Sequence, residues 1–217
     1  EGLQQRLLAA MLVPMTTRLA LLGNGNMGWS VLSGALDSGL LKPAEVVVVE
    51  SNPDRAQLAR ARGVAIVSAP EARVAETLLL AVKPQMFQDL AREIGPLPER
   101  RVVISVMAGI RSDSIKAAMG EYAAVVRVMP NTPARLRAGI SAICAGEGSV
   151  KSDLVFPHQL MSSVGNVVEV TEEHMYAVTA TSGSGPAFIF RMAEAMEAAA
   201  IKEGLEPQDA RTLVQNT

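Results

Sequence analysis

The chain has 217 residues, 49% of them apolar, with 20 Lys plus Arg against 22 Asp plus Glu and a formal net charge of −2 at pH 7. Such a chain can bury a sizeable core as one large domain or two smaller ones, and its interspersed charges leave no basic stripe for a phosphate backbone, so nucleic acid is not an expected partner. One cysteine, Cys144, and two histidines, His158 and His174, exclude a disulfide framework and a metal cluster of thiolates or imidazoles, and a reducing, cytoplasmic setting fits.

Residues 1–15 hold one apolar run, Leu7 to Val13, behind a single arginine and ahead of no clear small-residue cleavage site; they read as an extension or cloning remnant rather than a signal peptide. The longest uncharged run, Leu19 to Leu36, is broken by Gly23, Asn24, Gly25, Asn26 and Gly28, which makes it a poor membrane span, and no membrane partner is expected. From Arg18 the pattern predicts strands over Leu19–Leu22, Val46–Val49, Ala65–Val67, Leu78–Val82, Val102–Val106 and Ala124–Met129. Several are continuous Val/Leu/Ile runs, as strands covered on both faces require. Helices are predicted between them over Asn26–Ser38, Pro53–Arg62, Pro84–Glu93 and Ser112–Met119. The order is that of an α/β, Rossmann-like, doubly wound and mainly parallel sheet.

After a short apolar run, Gly139–Cys144, the loop Gly146-Glu147-Gly148-Ser149 marks an expected boundary. A dinucleotide-binding domain over 16–146 is followed by a smaller all-helical domain over 147–217. Within it, a helix at Asp153–Ser163 and a short extended stretch Val167–Val170 precede helices at Glu172–Thr179 and Pro186–Glu203. Ser184 and Gly185 are placed to cap the last of these, and Gly204 to close it. A final helix is predicted to start at Pro207, and the sequence stops at Thr217 before any helix-ending signal, so the second domain reads as incomplete. Some seventy residues, roughly the size at which a lone core becomes marginal, need the sheet, further chain or another subunit to lean on.

The strongest local signal is Gly23-Asn24-Gly25-Asn26-Met27-Gly28, a G-x-G-x-x-G that leaves a predicted strand and opens a predicted helix. Gly23 permits the tight turn, Gly25 lets a pyrophosphate approach the backbone, and Gly28 lets the helix pack closely on the strand. The helix N-terminus then offers unpaired N–H groups to the phosphates. An ordinary strand-to-helix turn is the bland alternative. Against it, a Val-rich strand ends at Glu50, close to the ~20-residue spacing of a ribose-reading acid. Glu50 favours NAD, whereas Ser51, Asn52 and Arg55 bring the donors that suit a 2′-phosphate; Arg55 alone also reads as a solvated helix face. The cofactor is written NAD(P), with NADPH preferred to NADH. Ligands of open α/β sheets sit outside the carboxyl ends of the strands, which brings in Lys83-Pro84, Met107-Ala108-Gly109 and Pro130-Asn131-Thr132-Pro133. By itself Lys83 reads as a loop cation before a proline.

Four stretches in order, the glycine-rich turn, Ala81-Val82-Lys83-Pro84, Arg127-Val128-Met129-Pro130-Asn131-Thr132-Pro133 and Ser182-Gly183-Ser184-Gly185-Pro186-Ala187-Phe188, resemble the successive signatures of the pyrroline-5-carboxylate reductase family. The resemblance covers nearly all of 18–217. It implies NAD(P)H-dependent reduction of 1-pyrroline-5-carboxylate to L-proline, a step of proline biosynthesis. It further implies that Gly23 to Gly28, Ser51, Asn52, Ala81 to Pro84 and Met107 to Gly109 line the cofactor. Lys83, Asn131 and Ser184 would lie nearest the chemistry, and Ser182, Gly183, Ser184, Gly185 and Pro186 would hold the substrate, whose carboxylate suits a Ser/Gly-rich helix start. Glu172 is a candidate to stabilise the protonated imine, with a solvated helix-start acid as the alternative. Members of the family continue with further helices, including a glycine- and threonine-rich segment, and assemble as homodimers or larger rings.

Two other readings compete. The β-hydroxyacid dehydrogenases share a G-x-G-x-M-G turn but place a catalytic lysine on the helix after a glycine-rich segment, whereas here the next lysine after Ser182–Phe188 is Lys202. A non-catalytic dinucleotide-binding regulator would account for the lack of a plain acid-base residue. Hydrolase chemistry has no nucleophile context for His158 or His174, which read as surface or core residues.

Overall fold

Short Val/Leu-rich segments build the centre of the molecule. A computed structural model describes residues 17–217, so the expected extension over 1–15 lies outside the described residues. The strands are β1 (Leu19–Leu22), β2 (Val46–Val49), β3 (Ala65–Ile66), β4 (Thr77–Leu80), β5 (Arg101–Ser105), β6 (Ala123–Pro130), β7 (Gly139–Ala145) and β8 (Gly165–Glu169). They form one eight-stranded sheet in the order β3-β2-β1-β4-β5-β6-β7-β8. The strands from β3 to β6 run parallel, β7 pairs antiparallel with β6, and β8 is parallel to β7. The chain works outward from β1 in one direction and then crosses back to β4, which places a topological switch point between β1 and β4.

The period of two explains why the strands are apolar throughout. Leu19 and Leu21 of β1 pack with Val48, Leu79 and Ile104 under helix α1 (Asn26–Asp37), which contributes Val31, Leu32 and Ala35. Ala20 and Leu22 face the other side, where Leu78, Leu80 and Val103 meet the helices α4 (Phe87–Ile94) and α5 (Ser112–Met119) through Phe87, Ile94, Ile115 and Met119. Both faces of a doubly wound sheet are covered in this way. Two shorter helices complete this part, α2 (Pro53–Ala61) and α3 (Ala69–Ala72). The sequence reading lacks α3, although its N-terminal signal was present: the Glu71 carboxylate accepts from the Ser68 N–H and hydroxyl in a capping box.

Several expected helices begin differently from the prediction. Pro84–Met86 is a 3-10 turn ahead of α4, and Lys151–Leu154 is another ahead of α6 (Val155–Ser162). Chain past Gly146 returns to the same core. Leu160 and Met161 of α6 pack in one cluster with Leu19 and Leu21, the Arg18 guanidinium lies 5.2 Å over the Phe156 ring, and β8 extends the sheet. Packing onto the sheet therefore continues past Gly146, through α6, through Met175, which is buried with Ala142 and Cys144 of β7, and through β8, which ends at Glu169. Beyond it come the 3-10 turn Glu172–His174, α7 (Met175–Val178), a π-helical turn Thr179–Gly183, α8 (Gly185–Lys202) and α9 (Pro207–Asn216). No helix among the described residues is long and apolar enough to cross a membrane.

Candidate active site

The glycine-rich turn sits where β1 gives way to α1, and its glycines answer to different constraints. Gly23 has φ +97°, and a Cβ there would meet the Ala81 carbonyl oxygen at 2.9 Å. A Cβ on Gly28 would stand 2.2 Å from the Gly23 carbonyl oxygen. Both positions are closed by the protein itself. Gly25 is different: the only heavy atom near its hypothetical Cβ is Arg55 Nη1 at 3.8 Å, so the backbone there is open to a ligand.

A polar network fastens this turn to the end of β2. The Asn24 N–H donates to Glu50 Oε2 at 2.8 Å, and the Asn52 N–H donates to Glu50 Oε1 at 2.8 Å. Asn24 is buried, and its Nδ2 donates to the Arg55 carbonyl at 2.8 Å. Asn52 caps α2, its Oδ1 accepting from the Arg55 N–H at 3.1 Å. Glu50 thus spends both oxygens on main-chain donors, and Arg55 is carried over toward Gly25.

A cleft of about 610 Å³ opens at the switch point, within the size range of small-molecule sites. Of the expected cofactor residues, Gly23, Gly25, Asn26, Met27, Ser51, Ala81, Val82 and Lys83 line it. Asn24 and Gly28 are buried in the wall, Asn52 stands beside it as the α2 cap, and Pro84 opens the turn before α4. Met107 is buried, while Ala108 and Gly109 (φ +77°) are exposed after β5 and do not line the cleft. The sequence reading missed a second wall formed by Val67, Ser68 and Ala69 after β3 and by Leu90 and Glu93 on α4. The available signal was position: Val67 to Ala69 also follow the carboxyl end of a strand.

The second group of motifs meets at the end of β6. Asn131 Nδ2 lies 3.4 Å from Ser182 Oγ, and Asn131 Oδ1 accepts from the Ile140 N–H at 3.0 Å. A Cβ on Gly183 would meet Met129 Cε at 2.6 Å, so this segment lies directly on the strand end. The expected free helix start at Ser184 takes another form. Chain passes from α7 through the π turn into α8, the Ser184 N–H donates to the Thr179 carbonyl at 2.8 Å, and the Ser184 side chain makes no cap. Gly185 has open space around it, and Pro186 occupies the first turn of α8.

Glu172 departs from the expectation that placed it beside a substrate cation. Its Oε1 accepts from the Ser112 N–H at 2.8 Å and from Arg127 Nη1 at 3.1 Å, and its Oε2 accepts from the Ser112 hydroxyl. A carboxylate largely withdrawn from water needs such partners. Burial pushes its carboxyl up, but the Ser112 donors and the Arg127 guanidinium outweigh that and hold it below the ordinary value of 4.5. Arg127 lies four residues before Asn131 on β6, about 13 Å away along an extended strand.

Comparison with known proteins covers the whole arrangement. Residues 18–109 match the family model described as NADP oxidoreductase coenzyme F420-dependent, and residues 172–217 match that described as pyrroline-5-carboxylate reductase dimerisation. The pyrroline-5-carboxylate reductase of Haemophilus influenzae is 35% identical over 205 residues, 92% of this chain and 74% of that protein. Its counterpart from Thermus thermophilus is 40% identical over 190 residues, 87% of this chain and 72% of that protein. Among solved structures, a pyrroline-5-carboxylate reductase from Coxiella burnetii superposes with a TM-score of 0.84 at 29% identity, covering 93% of this chain and 76% of that one.

Proposed function

The chain belongs to the pyrroline-5-carboxylate reductase family, and from that premise we infer how its own residues serve the family's reaction. It is an NAD(P)H-dependent oxidoreductase that reduces 1-pyrroline-5-carboxylate to L-proline, in proline biosynthesis. The observation that carries the reading is the meeting of Asn131 with Ser182, which brings the segment next to α8 onto the sheet edge that also holds the glycine-rich cleft. When bound, the reduced nicotinamide supplies a hydride to the imine carbon, whose nitrogen is protonated and becomes the amine of proline.

The residues present fit a dinucleotide. Gly25 leaves open the space that a Cβ would fill, and the N–H groups at the start of α1 favour the pyrophosphate. In this reading Gly23 to Gly28, Ser51, Asn52 and Ala81 to Pro84 hold the cofactor, with Met107 to Gly109 close to its nicotinamide end. Lys83, exposed at the cleft, and Asn131 flank the reacting groups. The segment Ser182 to Pro186 holds the substrate, with Ser184 nearest the chemistry. With the Ser184 N–H committed to Thr179, hydroxyls and the open backbone at Gly185 bear more of the carboxylate binding. Glu172 is left out of the substrate site because its oxygens are engaged elsewhere.

NADPH is the favoured cofactor. Glu50, the acid that would repel a 2′-phosphate, has both oxygens satisfied by main-chain donors, while Arg55 reaches the open face of Gly25. We also place the boundary between the dinucleotide-binding unit and the helical unit after Glu169, assign the chain to the cytoplasm, where the buried thiol of Cys144 stays reduced, and assign a homodimer or larger homo-oligomer through α8.

The deciding experiment follows absorbance of the reduced nicotinamide with pyrroline carboxylate as substrate. Consumption of NADPH with proline formation is expected; binding of NADPH with no turnover would favour a dinucleotide-binding regulator. A β-hydroxyacid dehydrogenase mechanism would need its lysine on the helix after the glycine-rich segment, and there the next lysine, Lys202, lies 18 residues beyond Ser184, about 27 Å along the helix.

A further inference from the structure

Helix α5 begins without a cap from its own neighbourhood: Arg111 occupies the capping position and its side chain makes no capping hydrogen bond. The unmet donors at Ser112 are taken up by Glu172, sixty residues further along the chain. A carboxylate suits a helix N-terminus on electrostatic grounds as well as through hydrogen bonding. The same carboxylate pairs with Arg127, and the side chains of this pair are only 10% and 17% exposed.

Two segments hang from this junction, the loop after β5, assigned above to the neighbourhood of the nicotinamide, and the stretch that leads to the Ser182–Pro186 segment. On the α5 side, Met107 to Gly109 precede Arg111 and Ser112 with Ile110 alone between them, so the junction fixes the far end of the loop after β5. On the other side, Glu172 opens a nearly continuous rod of helical turns, Glu172–His174, α7 and the π turn, that ends at Gly183. That rod is held at its other end where Ser182 meets Asn131 and Gly183 meets Met129. We propose that Glu172 is a positioning residue for imine reduction, clamping the loop after β5 and the Ser182–Pro186 segment in one register through Ser112 and Arg127.

The chemistry makes that register matter. Hydride transfer needs donor and acceptor carbons within about 3–3.5 Å in an aligned geometry, and a displacement of about 1 Å costs on the order of a hundredfold in rate. A clamp acts on the relation between two walls and leaves the cleft that holds the adenosine half of the cofactor alone. The inference rests on the assignment of Ser182–Pro186 to the substrate.

The test compares Glu172→Ala and Glu172→Gln in the full chain by steady-state kinetics, NADPH binding and amide hydrogen exchange. Glu172→Ala is expected to raise KM for pyrroline carboxylate and lower kcat, each about tenfold, a displacement smaller than the full ~1 Å case. NADPH affinity should stay within about threefold of the parent, a change of well under one hydrogen bond. Exchange should accelerate at 107–115 and 175–186 and stay unchanged in β1, β2 and β4. Glu172→Gln keeps an oxygen for the Ser112 N–H and should recover most of the loss. Kinetic constants unchanged in Glu172→Ala, loss of NADPH affinity in equal proportion, or unchanged exchange at 107–115 and 175–186 would each overturn the proposal. If the parent chain binds NADPH but reduces no imine, the substrate assignment fails, while the exchange comparison still decides whether Glu172 clamps the two segments.

Discussion

The glycine-rich cleft and the helix α8 are built on opposite terms. Around the cleft, most groups find partners within the chain: Glu50 accepts from Asn24 and Asn52, Asn24 donates to Arg55 while its buried Oδ1 has no partner, and the Gly23 and Gly28 positions are filled by neighbouring backbone. Only the face over Gly25 is left open. Helix α8 has 18 residues and buries none of them, with Phe188, Ile189 and Phe190 exposed at 70%, 60% and 61%. Contiguous apolar surface of this kind marks an interaction site, and the match of residues 172–217 to a dimerisation model agrees with it. The comparison separates a cleft built on close contacts within the chain from a helix whose apolar face is left exposed.

The largest expected effect comes from filling a position the protein already occupies. Gly28→Val would force side-chain atoms into the Gly23 carbonyl and should cost about 3 kcal/mol or more through overpacking; a melting curve and NADPH titration check it, and a folded, NADPH-binding variant would break the picture of a closed turn. Next comes the arm: Phe188→Glu should shift the sedimenting species toward monomer while NADPH binding persists. Loss of cofactor binding together with assembly would erase the distinction between the two regions. Arg55→Ala should raise KM for NADPH by about tenfold to a hundredfold, the weight of a charge-assisted contact of about 1.5–3 kcal/mol, with KM for NADH little changed. Equal effects on both cofactors would place Arg55 on the pyrophosphate instead.

The smallest effect belongs to the junction between the regions. The Glu172 carboxyl lies below its ordinary 4.5 in the folded chain, so the stability it contributes is fully present above about pH 4.5 and is lost as the pH falls through the lowered value. Its facing groups hold their states over that range. A hydrogen bond to Asp113 raises Arg111 above its ordinary value, and burial, with the charge of Glu172, pushes the Cys144 thiol up to about 11. Melting temperature followed on acidification should therefore fall less for Glu172→Gln than for the parent, and parallel curves would refute the assignment.

Much of this was legible in the residues. Continuous apolar runs of four or five residues force strands covered on both sides, so β1, β2, β4, β5 and β6 fall within a residue or two of where the pattern puts them. The spacing of Gly23, Gly25 and Gly28 marks the turn because backbone conformation and close approach are local demands. The family signatures at Ala81–Pro84, Arg127–Pro133 and Ser182–Phe188 located the strand ends and the segment that meets them.

What the residues did not reveal is which partner each polar side chain takes. Glu50 reads as a ribose ligand and Glu172 as a substrate ligand for the same reason, a carboxylate near a predicted site. In the folded chain one closes onto the glycine turn and the other onto Ser112 and Arg127. The loop at Gly146 likewise marks a true break between elements, yet α6 and β8 return to the sheet beyond it. Periodicity and turn chemistry are written in neighbouring residues, so sequence alone determines them; the Asn24 partner of Glu50 and the Ser112 partner of Glu172 come from 26 and 60 residues away, and only the folded sheet brings them within hydrogen-bonding distance.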